Sequence, residues 1–448
     1  MILGIIALVL SSLSISSNKA SSSSDSYVFP IIPGQESLEL YSCVALNQDG
    51  QAYKGYSPKF WNIVPLNGTV NPMADGPFGQ IGDKLYLLGG SQFNYANVTS
   101  NVYVIDLSMN TMELVTNISG GGPGAVIFSP ASVVDEINMD IYVYGGWYGG
   151  SNFSQKLWKF NTPTRTWTFI PAPNDPDYFN GPGNRTASQM ILRGRTLYIY
   201  GGFWSDFFYY DDAMFQLNLD NITEGWKLVQ LNSPAFPAGR SDCIWLPYQN
   251  KGILFGGALS GSTSSNEVWE FDFSSNTWLN ILPSSNSPNG PFRHTAGRGV
   301  IIDQYLYTYG GASTISTITN DLWIWDIINH RWILIDNNGS VNNYRGYVGV
   351  LRATKEPIWY GGFTAINSGA SNILFYFKNE REPVGCVIGR PSNTTALVKN
   401  TGTITNPSWM FDIGLTVYLE ANGTLTQLQT IPFSKRLGIA INENTILF

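Results

Sequence analysis

A glycine pair placed directly after a short apolar strand recurs six times along the chain, at Gly89-Gly90, Gly145-Gly146, Gly201-Gly202, Gly256-Gly257, Gly310-Gly311 and Gly361-Gly362. The first glycines lie 56, 56, 55, 54 and 51 residues apart. A period near fifty held over six copies marks repeated supersecondary units, each unable to bury its apolar face alone and therefore stacked on its neighbours. The strands leading into the pairs are Leu85–Leu88, Ile141–Tyr144, Leu197–Tyr200, Ile253–Phe255, Leu306–Tyr309 and Ile358–Tyr360. All are rich in the β-branched, aromatic and leucine side chains that suit a buried pleated surface.

Beyond each pair a loop leads to a second strand and then to a third that carries Trp. In three copies the aromatic of the second strand and the Trp of the third are nine residues apart, at Trp158 and Trp167, Trp269 and Trp278, and Trp323 and Trp332. Asn, Asp, Pro and Thr fill the interval, as a hairpin turn requires. Departures are Met112 at the first Trp position, a longer turn before Trp226, and no Trp after Trp359 in the sixth copy. Over residues 70–380 this pattern resembles the kelch repeat. The resemblance implies an all-β, kelch-type β-propeller of four-stranded antiparallel blades, strands a to d, with the glycine pair ending strand b. Glycine there permits positive φ and close backbone approach, and Trp fills the wedge between twisted neighbouring sheets.

A ring of blades leaves two sheet edges at its seam, and pairing N- and C-terminal strands protects them. Residues 38–46 and Phe60–Pro65 read as strands c and d without a and b, whereas Leu437–Phe448 reads as a and b without c and d. Together they predict one composite blade and a single propeller domain over residues 36–448. Six repeats plus this composite give seven blades, the favoured count. Eight is the alternative, because residues 384–432, containing Trp409–Gly414, read as a degenerate blade or an insertion.

Apolar Ile2–Leu10 followed by Ser/Asn-rich sequence and a small-residue cut after Ala20 resembles a signal peptide over residues 1–20, with a flexible Ser-rich leader to residue 35. The run is too short to span a bilayer, so a soluble, secreted, monomeric chain is expected without membrane insertion. Nine Asn-x-Ser/Thr sites, at Asn67, Asn97, Asn117, Asn152, Asn184, Asn221, Asn338, Asn393 and Asn422, are compatible with glycosylation. With 25 basic against 32 acidic residues and no basic cluster, a nucleic-acid partner is not expected. Of the three cysteines, Cys243 sits in an apolar stretch and reads as a core thiol. Cys43 and Cys386 fall in terminal segments that must meet if a ring closes, which makes them a disulfide candidate.

Chemistry is sparsely encoded. The kelch relative galactose oxidase implies a copper radical site with two His, yet this chain has only His294 and His330. His294 opens a strand a and His330 lies in a c–d turn, on opposite faces of the ring, so one metal ion cannot reach both. Asp326 and His330 are four apart and are similar to part of the iron-binding triad of plant kelch specifier proteins, but Leu322 replaces its Glu. Asp326 also reads as the turn residue ending strand c, as do Asp106 and Asp272. No catalytic group and no cofactor is therefore expected, and a copper oxidase is the disfavoured alternative.

Recognition is the expected role, through loops that leave the ring on one face. The b–c loops of the first three repeats carry aromatics, and those of the fourth and fifth are mostly Ser, Thr, Gly and Ala. Candidate binding residues are Trp147, Tyr148, Phe203, Trp204, Phe208 and Tyr209, joined by Tyr178 and Phe179 of the long connection from Pro171 to Arg185. Such rings offer contact area at small entropic cost to an extracellular protein or carbohydrate. The same loops would also satisfy the sequence by packing on one another. Arg185, Arg240, Arg293 and Arg345 open successive a strands, where they either line the central opening or form salt bridges.

Overall fold

The structure is a computed structural model. It describes residues 61–377 except 93–97, 125–128, 150–151, 172–180, 205–208, 260–262, 284–289, 292–296, 315–316, 337–344 and 365–368. Outside that stretch it describes 26–30, 43–46, 52–54, 385–392, 395–399, 403–405, 416–419, 425–426, 435–442 and 445–447. The chain divides into two compact units, Lys59–Asn379 on one hand and Met1–Pro58 with Glu380–Phe448 on the other.

Lys59–Asn379 is a propeller of six blades. Blade 1 runs a Phe78–Ile81, b Lys84–Ser91, c Val98–Asp106 and d Thr111–Leu114. Blade 2 runs Ala131–Asp135, Asp140–Tyr144, Leu157–Asn161 and Thr166–Ile170. Blade 3 runs Gln189–Arg193, Thr196–Tyr200, Met214–Asn218 and Lys227–Leu228. Blade 4 is Ile244–Tyr248, Lys251–Phe255, Val268–Asp272 and Thr277–Leu282. Blade 5 is Arg298–Ile302, Tyr305–Tyr309, Leu322–Asp326 and Arg331–Asp336. Blade 6 takes Tyr347–Leu351, Glu356–Tyr360 and Leu374–Phe377 from the sixth repeat and Trp61–Val64 from the chain's N-terminal part. Each strand a touches the strand a of the next blade, and that of blade 6 returns to blade 1.

The blade count corrects the expectation of seven, and the physical reason lies in the sixth repeat. That repeat supplies only three strands, so Leu374–Phe377 would present an open edge. Trp61–Val64 covers it in antiparallel register, Phe377 opposite Trp61 and Leu374 opposite Val64. Trp61 thereby occupies the register position that Trp167 holds opposite Phe160, Trp278 opposite Phe271 and Trp332 opposite Trp325. The Trp missing from the sixth repeat is delivered from the far end of the propeller sequence. With that strand in place the ring has no seam left for Leu437–Phe448, so the composite blade does not form.

Those C-terminal residues pair elsewhere. Lys435–Asn442 lies between Thr416–Leu419 and Thr445–Leu447 in a five-stranded sheet that also holds Thr403–Thr405 and Leu425–Thr426. A second five-stranded sheet interleaves both ends of the chain, in the order Ser26–Pro30, Thr395–Lys399, Gly385–Ser392, Cys43–Leu46, Ala52–Lys54. The described residues among 384–432 thus pair in these sheets, within the compact unit of Met1–Pro58 and Glu380–Phe448. The signal-peptide and leader segments, apart from Ser26–Pro30, and Trp409–Gly414 lie outside the described residues.

The core sits between blades. Tyr144, Leu157, Leu197, Phe215 and Trp226 pack together between blades 2 and 3, and Tyr200, Cys243, Trp245, Phe271 and Trp278 between blades 3 and 4. Glycine pairs do what the sequence asked of them. A Cβ on Gly145 would stand 2.5 Å from the Arg185 carbonyl, and one on Gly201 2.5 Å from that of Arg240. Among the described residues no helix is long and apolar enough to cross a membrane.

Candidate functional site

The loop face begins with a turn repeated around the ring. The carbonyl of the second glycine accepts the backbone N–H of Ser154, Asp211, Ser265, Thr319 and Ser371 at 2.8–3.0 Å in blades 2 to 6. In four of these blades that residue's side-chain oxygen caps the N–H two residues on, at Lys156, Ala213, Glu267 and Ile373, each 3.1 Å. The b–c loops are therefore anchored at their base by local hydrogen bonds. A Ser, Thr or Asp nine or ten residues past each first glycine is the sequence signal for this device, and sequence reasoning overlooked it.

On blades 2 and 3 the anchored loops carry a connected band of aromatics. Trp147 and Phe153 form an isolated antiparallel bridge with ring centroids 6.3 Å apart. Phe153 continues to Phe203 at 6.2 Å, and Phe203 to Tyr210 at 5.7 Å. All four are half-buried, offering one side to solvent. Tyr148 is also half-buried, its hydroxyl donating to the Pro123 carbonyl at 2.8 Å, and burial raises its pKa. A small sheet of Arg185–Thr186, Phe203–Trp204 and Tyr209–Tyr210 fixes the blade 3 loop.

Trp204 is placed differently from the expectation. It is 2% exposed, with its ring against Gly183, where a Cβ would stand 2.9 Å from Cζ2, and the Arg185 guanidinium lies 5.6 Å from its centroid. Trp204 is thus packed between Gly183 and Arg185 with little of its ring exposed. Phe208, Tyr178 and Phe179 lie outside the described residues. Tyr209 is described only by its backbone register opposite Trp204. Phe153 and Tyr210 were not among the expected binding residues, yet they connect the band.

Of the two roles left open for these arginines, the three that are described all take the salt bridge. Arg185 donates to the Gly201 carbonyl at 2.8 Å and to Asp211 Oδ2 at 2.8 Å. Arg240 repeats this one blade on, with the Gly256 carbonyl at 3.0 Å and Glu267 Oε2 at 2.7 Å. Both tie the end of strand b to the start of strand c within one blade. Burial alone would raise the Glu267 carboxyl, but its bond to Arg240 holds it below its ordinary value. Arg345 pairs across blades instead, with Asp242 at 2.8 Å and Asp75 at 3.3 Å, and Arg293 lies outside the described residues.

Near Arg345 a run of four backbone hydrogen bonds links blades 6, 1, 2, 3 and 4 among the described residues. Asp75 N–H donates to the Arg345 carbonyl at 2.9 Å, Ser129 to Asp75 at 3.0 Å, Ala187 to Ser129 at 2.7 Å and Asp242 to Ala187 at 2.9 Å. All five residues have positive φ, an unfavourable state for side-chain-bearing residues that these hydrogen bonds help to hold. The Arg345 guanidinium reaches Asp242, Asp75 and Ser129 Oγ, so blades 6, 4, 1 and 2 meet in one buried cluster. Burial pushes the Asp75 carboxyl up to about 6, with Asp242 adding to the rise and Arg345 and Arg298 opposing it. Asp75 and Asp242 were not singled out from sequence, because nothing local distinguishes them from turn residues.

Behind the cluster the central channel encloses about 570 Å³. Its polar groups largely stitch neighbouring a strands together. Gln80 exchanges hydrogen bonds with the backbone of Val350, both 2.7 Å, across the junction of blades 1 and 6, and Ser132 does so with Phe78 at 3.1 and 2.8 Å. Arg352 and Glu136, at the a–b turns of blades 6 and 2, pair at 2.8 Å at the other end of the a strands.

The residues weighed for chemistry are engaged structurally. Asp326 accepts from the Ile328 and Asn329 backbone N–H groups, both 3.2 Å, as Asp106 and Asp272 do from their own turns. Leu322, at the place of the specifier Glu, is fully buried. His330 has φ of 51°, the left-handed hairpin position held elsewhere by Asn110, Arg165 and Asn276, and it stacks on Trp325. Cys243 is buried, with burial pushing its thiol up to about 12. His294 lies outside the described residues.

Comparison with known proteins places this geometry in a family. The family model described as the KLHDC2/KLHL20/DRC7 Kelch-repeats domain matches residues 78–298 and 211–380. Kelch domain-containing protein 3 of Homo sapiens is 26% identical over 280 residues, which is 59% of this chain and 70% of that protein. The Rattus norvegicus protein of the same name is 27% identical over 242 residues, 52% of this chain and 59% of its own length. The Thlaspi arvense protein named N-(sulfonatooxy)prop-2-enimidothioate sulfolyase is 24% identical over 347 residues, 71% of this chain and 97% of that one. The solved "Structure of YjhT" has a TM-score of 0.54 at 15% identity over 69% of this chain and 96% of its own, and speaks to fold alone. A matched span covering most of the six blades, with glycine pairs and strand register to agree, makes this chain a member of the KLHDC2/KLHL20/DRC7 kelch-repeat domain family.

Proposed function

We propose that the chain is a secreted, non-catalytic recognition module that takes up an extracellular protein or glycan on the loop face of blades 2 and 3. The observation that carries this reading is the band Trp147, Phe153, Phe203 and Tyr210, continuous across two blades and half-open to solvent. Rigid aromatic anchors on a fixed scaffold give affinity because little entropy is lost when they are covered. Secretion is supported by the apolar run Ile2–Leu10 and by exposed Asn-x-Ser/Thr sites at Asn67, Asn117, Asn152 and Asn221.

The test is to immobilise the full chain and probe it with fractionated extracellular protein and a glycan array. Retention of a defined ligand, without change to that ligand, supports the proposal. Turnover of the substrate named for the Thlaspi arvense relative, or of a primary alcohol with copper bound, would replace binding by catalysis.

A further inference from the structure

We infer that Cys43 and Cys386 form a disulfide that fastens the N-terminal and C-terminal parts of the chain to each other outside the propeller. Strand Cys43–Leu46 pairs antiparallel with Gly385–Ser392, and the register sets Cys43 directly opposite Cys386. Directly opposed residues of antiparallel strands have Cα atoms about 4.5–5.5 Å apart. Disulfides span Cα separations of about 4.4–6.8 Å, so this register is one a disulfide can bridge without moving the backbone.

The place of the pair gives the bond its use. In this sheet Ser26–Pro30 is held to Thr395–Lys399 by five registered pairs, whereas Cys43–Leu46 meets Gly385–Ser392 through only two, Cys43 with Cys386 and Val44 with Gly385. Cys43–Leu46 is held on its other side, to Ala52–Lys54, by two pairs as well, and the cysteine pair is half of its link to the C-terminal part. The bond would enclose every residue from 44 to 385, all six blades included, in one covalent loop. Long loops are those for which cross-linking restricts the unfolded chain most. Cys243 does not compete, being buried in the propeller core with its thiol held protonated by burial.

The oxidant is a disulfide of the glutathione class, as found in oxidising compartments. One cysteine thiolate attacks glutathione disulfide, forming a mixed disulfide and expelling one glutathione thiolate. The second cysteine thiolate then attacks the protein sulfur of that mixed disulfide, and the second glutathione leaves. Two protein thiols are oxidised and one glutathione disulfide is reduced to two thiols.

The full chain, equilibrated with glutathione disulfide, is alkylated without reduction, digested and mapped by mass spectrometry. The expected product is one cross-linked peptide pair containing Cys43 and Cys386, lighter than the free peptides by two hydrogen atoms. Alkylation of both cysteines in the oxidised native chain would overturn the inference, as would a bond to Cys243 or between two chains. Reduction should lower the melting midpoint of the wild type and leave that of the Cys43→Ser/Cys386→Ser double variant unchanged. Equal midpoints for oxidised and reduced wild type would show that no such fastening exists.

Discussion

Arg345, at the start of blade 6, donates to both carboxylate oxygens of Asp242 in blade 4, at 3.0 and 2.8 Å, and so ties these two blades together. The same guanidinium reaches Asp75 in blade 1 and Ser129 in blade 2. Removing it takes the partner cation from buried Asp242 and leaves Asp75 with Arg298 at 3.8 Å. Arg345→Ala is expected to cost about 3–5 kcal/mol, the range for a broken buried pair. Denaturant unfolding of the wild type and the variant checks this. A loss below about 1 kcal/mol would show that the cluster does not hold the blades together.

Asp75 makes that cluster sensitive to pH. Its folded-state pKa is raised from 3.8 to about 6, first by burial. Between these values the folded chain binds a proton that the unfolded chain does not, so this residue's contribution to stability is full below about pH 4 and lost as pH rises through 6. The whole effect is at most about 3 kcal/mol. Asp75→Asn should flatten the stability difference between pH 7 and pH 4 relative to the wild type. An unchanged pH profile would contradict the placement of this carboxyl.

Adjacent residues in the blade 3 loop should respond oppositely. Trp204→Ala removes a ring that is 2% exposed beneath Arg185, and the loss is expected to be about 3–5 kcal/mol of stability. Phe203→Ala, on the half-open side, is expected to change stability by about 1 kcal/mol or less. Thermal melts of the two variants decide between these values.

Closure by Trp61–Val64 predicts a sharp boundary for truncation. A chain of Lys59–Asn379 alone should unfold cooperatively. One of Pro65–Asn379 exposes the outer edge of Leu374–Phe377 and should aggregate. Light scattering during heating separates the two, and equal solubility would remove strand d of blade 6 from the closing role.

Much of this architecture was legible because its signals are local. Glycine pairs mark the ends of strand b, Asp106, Asp272 and Asp326 mark the ends of strand c, and Trp167, Trp278 and Trp332 mark strand d. What stayed hidden depends on residues far apart in sequence. Nothing near Ile63 announces that it will pair with Phe375, and nothing near Arg345 points to Asp242. The aromatic loops were legible as a sector, but exposure was not. Gly183, twenty-one residues before Trp204, supplies the space against which that ring packs.

The measurement closest to the centre of this account is ligand capture by the full chain carrying Trp147→Ala, Phe153→Ala and Phe203→Ala. These side chains line the open side of the band, so the triple variant should keep a cooperative melt while losing the ligand the wild type retains. Retention of the same ligand at the same strength by a folded variant would contradict recognition through blades 2 and 3.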